Sequence, residues 1–464
     1  AQVAATPTQG EKAAEATLPP VKVQAAAEAT GKAAYQAVTT TVGKGRQELR
    51  DIPQSVTVIT EKLIDDKNLD TLKAALHSVP GIAFEAGEGG AIGDLVRLRG
   101  FSTRGDIYLD GLRDIAQYNR DTFNQDRIEV LRGSASMLYG RGSTGGIINQ
   151  VSKQPLLINQ NEVAFTAGTD RYYRLTGDFN LVTGQDAALR VNVMKTDADS
   201  FRNGPSTNRR GIAPTFQWGI GTSDEFSVGA YHLEYDDVPD FGFRWLDGRP
   251  VGAAADRWYG TKSDYQDDSA TQFFLSHLHR FAGGGQLKTT VRDGHYKRDL
   301  WSTTAGFAAV PAPSSGLATA CSYPAGTVTT PITSISDSSL ICRGSQTRAA
   351  KDRHRFVQTD YSGKFEWLGL KHDLLAGAEY ANEQTTTYSY TGTPAKSPIT
   401  WADDGGTASL NDTRVRARNT HFESDTTGLY VQDTLSLTPH WKLIAGLRHD
   451  RATARAIRAA CASQ

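Results

Sequence analysis

The chain has 464 residues, a formal net charge of −1, 39% hydrophobic residues and three cysteines, and its mean hydropathy is −0.43. Balanced charge offers no basic excess to neutralise phosphates, which argues against a nucleic-acid partner, and no run reaches the ~18–20 apolar residues of a membrane-spanning helix. A membrane strand stays open, because barrel walls alternate lipid-facing and lumen-facing residues and so keep a polar average.

The opening AQVAATPTQG lacks a charged region followed by an apolar one, so it reads as a secreted protein whose signal peptide has gone. Residues 1–40 are mostly Ala, Thr, Gln and Glu, the composition of a flexible segment. Within them Thr17-Leu-Pro-Pro-Val-Lys-Val-Gln24 alone has extended character. Two prolines stiffen it and remove donors, and Val21 and Val23 flank Lys22, so it suits addition to the edge of a partner's sheet.

Residues 41–155 read as a compact α/β unit. Val56–Ile59 is a short strand, Glu61–Ile64 is helical, and Leu69, Leu72, Ala75 and Leu76 give Leu69–Leu76 an apolar helical stripe. Ser78-Val-Pro-Gly81 stops that helix. Leu95–Leu98 and Ile107–Leu109 are further strands, and Asp110-Gly111 is a tight-turn signal. Arg127–Leu131 alternates charged and apolar side chains, Ile147–Val151 is rich in strand formers, and between them Gly140-Arg-Gly-Ser-Thr-Gly-Gly146 holds four glycines in seven residues. Glycine at that density marks positive φ or very close backbone approach.

From about 156 to 450 the pattern becomes period two over segments of about ten residues, the length of a tilted membrane strand. Leu189, Val191 and Val193 alternate with Arg190 and Asn192, and Leu287, Thr289 and Val291 with Lys288, Thr290 and Arg292. The same pattern covers Val357–Phe365 and Trp441–Leu447. Short connectors at Thr183–Asp186, Thr222–Glu225, Gly283–Gly285 and Leu437–His440 are separated by long ones at about Val238–Asp268, Asp299–Asp352 and Asn382–Ser424. Short turns on one side and long loops on the other are the asymmetry of outer-membrane barrels. Tyr172, Tyr173, Trp218, Trp367, Tyr380 and Trp441 near strand ends suit interfacial girdles. The competing reading is a soluble β-sandwich, whose aromatics would form its core. Residues 451–464, RATARAIRAACASQ, lack period two and read as an aberrant tail, an out-of-frame or truncated end.

Motifs for chemistry are weak. Gly140-x-Gly-x-x-Gly145 matches a dinucleotide fingerprint only formally, since a strand and not a helix follows it, and no cofactor is expected. His277 and His279 share one strand face, enough for an adventitious metal contact, but no HExxH pairing exists and no direct metal site is expected. Ser134 and Ser136 do not form a G-x-S-x-G elbow, so nothing supports an enzyme. Cys321 and Cys342 enclose about twenty residues and would close a loop in an oxidising compartment, or else stand as two free thiols.

The stretch IEVLRGSASMLYGRGSTGGIINQVSK resembles the end of the plug domain of TonB-dependent outer-membrane receptors, in the iron–siderophore branch. Asp51-Ile-Pro-Gln-Ser-Val-Thr-Val-Ile-Thr60, the segment ending Val79-Pro-Gly-Ile82, and Val96-Arg-Leu-Arg-Gly-Phe101 leading to Ile107-Tyr-Leu-Asp-Gly111 match the family in the same order. The wording is most similar to receptors for catecholate siderophores. The resemblance implies a β-rich protein: an α/β plug, 41–155, inside an antiparallel transmembrane β-barrel, 156–450. Roughly eleven strands are legible where the family closes with about 22. It implies that Leu18, Pro19, Pro20, Val21, Lys22 and Val23 are the TonB box, gripped by the inner-membrane TonB protein. Plug apices would lie near Glu85–Ile92, Ser102–Asp106 and Arg113–Asp121, with Glu88, Arg104, Arg113, Tyr118, Asn119 and Arg120 meeting the ligand. Arginine forks and tyrosine rings suit an anionic, aromatic ferric siderophore. The implied location is the bacterial outer membrane, among its lipids, and the implied work is import of iron as cargo. A surface binding protein or a passive porin-like channel without energy coupling is the other reading.

Overall fold

The computed structural model describes residues 31–85, 93–242, 245–246, 249–251, 256–308, 321, 333, 335–405, 408–438 and 440–458. The expected TonB box, Leu18–Val23, and Glu88 lie outside them.

The plug is built on a five-stranded sheet. Its strands are β1 (Ser55–Thr60), β2 (Ile107–Leu109), β3 (Leu112–Arg113), β4 (Gln125–Arg132) and β5 (Gly146–Ser152). They lie in the order β1-β4-β5-β2-β3, with β5 antiparallel to β4 and parallel to β2. Helices α1 (Glu61–Asp66) and α2 (Leu72–Leu76) cover one face. Ile59, Ile64, Leu72, Leu76, Leu98, Ile128 and Ile148 pack together there, each such side chain contributing about 1.5–3 kcal/mol by leaving water. Val42, Tyr108, Leu131, Tyr139 and Ile147 fill the other face. The second helix begins later than its apolar stripe suggests. Thr71 is its cap, its hydroxyl accepting from the Ala74 amide at 3.1 Å, and Leu69 stays outside. The glycine-rich segment turns sharply against the sheet. A Cβ on Gly145 would overlap the Leu98 carbonyl oxygen, and Gly146, at φ +134°, would clash likewise with that of Leu131.

The wall is one antiparallel sheet. Its strands are β6 (Gln160–Ala167), β7 (Tyr173–Val182), β8 (Ala188–Asp199), β9 (Ser206–Trp218), β10 (Asp224–Asp237), β11 (Tyr265–Arg280), β12 (Gln286–Phe307), β13 (Leu340–Trp367), β14 (Leu370–Thr391), β15 (Val415–Ser436) and β16 (Lys442–Arg458). Each pairs with the next in sequence, and the short strand Ile399–Thr400 adds to β13. Among the described residues β6 and β16 pair on one side only, so the sheet does not close. Its polarity is inverted relative to a water-soluble sheet. Phe165, Phe273, Leu275 and Leu429 point outward and are exposed, whereas Asn192, Gln272, Arg292 and Asp360 are buried on the inner side. A soluble sandwich would bury the first set and wet the second, so that reading fails.

Three expectations change. Of the segment 451–464, expected to lack strand structure, residues 451–458 continue β16, paired from Arg451 opposite Thr427 to Arg458 opposite Thr420, and 459–464 lie outside the described residues. Backbone pairing to β15 carries them. The long connectors are shorter than expected, since β12 runs to Phe307, β13 starts at Leu340, β14 ends at Thr391 and β15 starts at Val415. Stretches such as Thr385-Thr-Thr-Tyr-Ser-Tyr390 are strong strand formers whose donors and acceptors pair above the lipid as readily as within it. Tyr172 is no girdle residue, for its hydroxyl donates to Asp70 of the plug. Trp218, Trp367 and Trp441 do lie exposed at the short-turn rim.

Candidate functional site

The plug sits against the inner wall, and polar contacts hold it there. Arg174 of β7 meets Asp121 at 2.7 Å, Lys153 meets Asp178 at 3.2 Å, Arg141 meets Glu383 at 2.6 Å, and Tyr296 of β12 donates to Asp114 at 3.1 Å. An aromatic seam of Tyr118 and Phe123 from the plug with Tyr231, Tyr235 and Tyr296 from the wall completes the contact. The segment leading into the plug is also fastened. The Thr41 amide donates to Glu129 at 2.9 Å, and three residues on Lys44 crosses to the wall, donating to Tyr430 at 2.9 Å and Glu379 at 3.1 Å.

On the long-loop side a cavity of about 460 Å³ opens between plug and rim. Thr71, Lys73, Asp94 and Asn119 line it from the plug, and Asp199, Arg209, Asp237 and Asp240 from the wall. Its four carboxylates each face a guanidinium: Asp94 with Arg120, Asp199 with Arg171, Asp237 with Arg209 and Asp240 with Arg202. Lys73 adds a fifth cation, so the vestibule is not an anionic field despite its aspartates. Asn119 Oδ1 and Asp94 Oδ1 are enclosed beside the cavity and lack a hydrogen-bond partner among the described residues.

The six residues expected at the ligand separate here. Asn119 lines the cavity, and Arg104 is exposed on its loop. Arg113 is half-buried and spent on the carbonyls of Arg141 (2.5 Å) and Tyr139 (3.4 Å). Tyr118 and Arg120 are not offered to a ligand. Both are 3% exposed. Arg120 Nε bonds Asp114 at 2.9 Å, its Nη2 bonds the Asp114 and Ala116 carbonyls, and its plane lies 4.2 Å from the Tyr118 ring. Burial pushes the Asp114 carboxyl up, but Arg120, Arg292 and the Tyr118 hydroxyl outweigh it and hold the group below its ordinary range. This knot shapes the apex from within. Arg and Tyr at an apex suggest ligand contact by type, and sequence carries no sign of their depth. Lys73 and Arg209, which do reach the cavity, were missed for the same reason: one follows a core leucine on a helix, the other sits in a strand, and neither stands in a motif.

The long outer strands bear a disulfide. Cys342 of β13 bonds Cys321, with Cα atoms 5.4 Å apart.

A globule packed inside an inverted-polarity antiparallel wall, with short turns below and a vestibule above, defines a plugged outer-membrane receptor barrel. Residues 48–147 match the TonB-dependent Receptor Plug Domain, and residues 215–458 the TonB dependent receptor-like beta-barrel. The chain belongs to the TonB-dependent receptor family, whose members are receptors and transporters of the outer membrane and not enzymes. It is 30% identical over 426 residues to the catecholate siderophore receptor Fiu of Escherichia coli K12, covering 88% of this chain and 54% of that protein. With the probable TonB-dependent siderophore receptor PiuA of Acinetobacter baumannii it shares 31% over 434 residues, 87% of this chain and 55% of the relative. The chain thus spans about half the length of the curated relatives it matches. The crystal structure of PiuA superimposes with a TM-score of 0.80 at 28% identity, over 94% of this chain and 63% of the other. The closed form of Fiu gives 0.79 at 27%, over 92% and 60%.

Proposed function

We propose that this protein binds a ferric siderophore, of the catecholate type, at the vestibule above the plug and imports it with energy transmitted by TonB. The observation that carries the reading is the cavity on the long-loop side, bounded by Thr71, Lys73 and Asn119 of the plug and by Arg209 and Asp237 of the wall. The names of the two relatives support the cargo class. An anionic iron complex gains from a vestibule whose carboxylates are already matched by guanidiniums. Its arrival signals only if it favours one plug state over another by its own contacts. Traction on Leu18–Val23 would load Lys32 and its bonds to Glu61 and Glu162, and then the Thr41–Lys44 segment with its contacts to Glu129, Glu379 and Tyr430.

Deleting Leu18–Val23 tests the reading. Cells expressing that variant should still bind radiolabelled ferric catecholate at the surface but no longer accumulate it. Accumulation that continues unchanged would make the protein a passive channel instead.

A further inference from the structure

We propose that Asp224, His277 and His279 form a binding site for a divalent transition metal of the Zn²⁺ class, on the outer surface of the wall at the short-turn, periplasmic rim. Asp224 opens β10 and the two histidines end β11, with Asp224 opposite His279 and Phe226 opposite His277 in register. Period two puts His277 and His279 on one face, and their nitrogens already converge. His277 Nε2 lies 2.9 Å and His279 Nδ1 2.7 Å from the same oxygen, Asp224 Oδ1. All three ligand atoms fall within 4.8 Å of one another, the spacing of a chelate that a metal closes by small side-chain movements. Two imidazoles and a carboxylate, with water completing a tetrahedron, are a donor set suited to Zn²⁺.

The surroundings hold the ligands in place. The His277 ring stacks on Phe226 with centroids 4.3 Å apart and planes 6° apart, and His279 meets the edge of Phe281 at 4.6 Å. Ser223 donates to the other oxygen, Asp224 Oδ2, at 3.1 Å, a supporting contact of the kind that orients metal carboxylates. The neighbouring outward positions on β12 are Leu287 and Thr289, opposite His279 and His277. The adjacent Arg280 is turned to Glu225 at 2.8 Å, so its charge is engaged there. Each ligand side chain keeps at least a third of its surface exposed at the rim, so the site is not enclosed by protein. On binding, each ring surrenders the hydrogen it now donates to Asp224, or carries it on its other nitrogen. No electron changes hands.

The full chain, purified in detergent without a histidine tag, would be titrated with Cu²⁺ as a spectroscopic probe and with Zn²⁺ as competitor. One equivalent of Cu²⁺ should give an electron paramagnetic resonance spectrum with two nitrogen ligands, and Zn²⁺ should displace it. His277→Ala or His279→Ala should leave one nitrogen and weaken binding by more than the roughly tenfold that loss of a supporting contact costs. Asp224→Asn, which preserves shape, should keep two nitrogens but bind more weakly. An unchanged spectrum and affinity in the His277→Ala/His279→Ala double variant would overturn the proposal.

Discussion

Plug and wall bury opposite kinds of residue. In the plug Leu72, Ile128 and Ile148 are fully enclosed, as in a water-soluble α/β unit, and the charges it does bury, such as Glu129 and Arg120, are paired. In the wall Leu275 and Leu429 face out while Gln272 and Arg292 are enclosed. The difference teaches that burial is set by the solvent beyond each face: lipid outside the wall, and a polar seam of plug side chains within it. Between them lies the Arg120 knot, charged like the wall's lining yet enclosed like the plug's core.

The knot should therefore be the costliest place to break. Arg120→Ala strands Asp94 and Asp114 without their shared guanidinium and should destabilise the plug by about 3–5 kcal/mol, read as a lowered thermal midpoint for the plug transition. Acid attacks the same knot in wild type. Since Asp114 is held below its ordinary value, its contribution is complete above the unfolded Asp pKa of ~3.9 and fades as pH falls through the lower folded value. Plug stability against pH should show that loss in wild type and not in Asp114→Asn. In the plug core, Leu72→Ala should cost about 2–5 kcal/mol by leaving a cavity, measurable in denaturant titration. On the wall the contrast is directional. Leu275→Arg, between Val228 and Val291 on the lipid face, should cost about 2–4 kcal/mol in folding into vesicles. Ser276→Arg, one residue along and lining an inner cavity of about 420 Å³, should fold nearly as wild type. Equal losses would dissolve the distinction between faces. Thr71→Ala removes the helix cap for about 1 kcal/mol, and Lys62→Ala, which breaks an open i,i+4 pair with Asp66, should leave the melting curve unmoved.

Period two made the wall legible before any coordinates, because a strand between lipid and a polar interior must alternate. Leu189–Val193 and Val357–Phe365 do so in the structure as in the sequence. The glycines of 140–146 were legible for a related reason, since close approach to the Leu98 and Leu131 carbonyls leaves no room for a side chain. Three things were hidden. Arg451–Arg458 form a strand held by backbone pairing to β15. Leu69 belongs to the apolar stripe but not to the helix, whose start is fixed by the Thr71 hydroxyl. Tyr118 and Arg120 have ligand-like chemistry, and only depth reveals that they serve the plug itself.

The 28 residues of β13, at ~3.3 Å each and tilted by ~40°, climb roughly 70 Å along the barrel axis. Hydrocarbon occupies only ~30 Å of that climb. This side of the entrance is accordingly a turret standing well above the membrane.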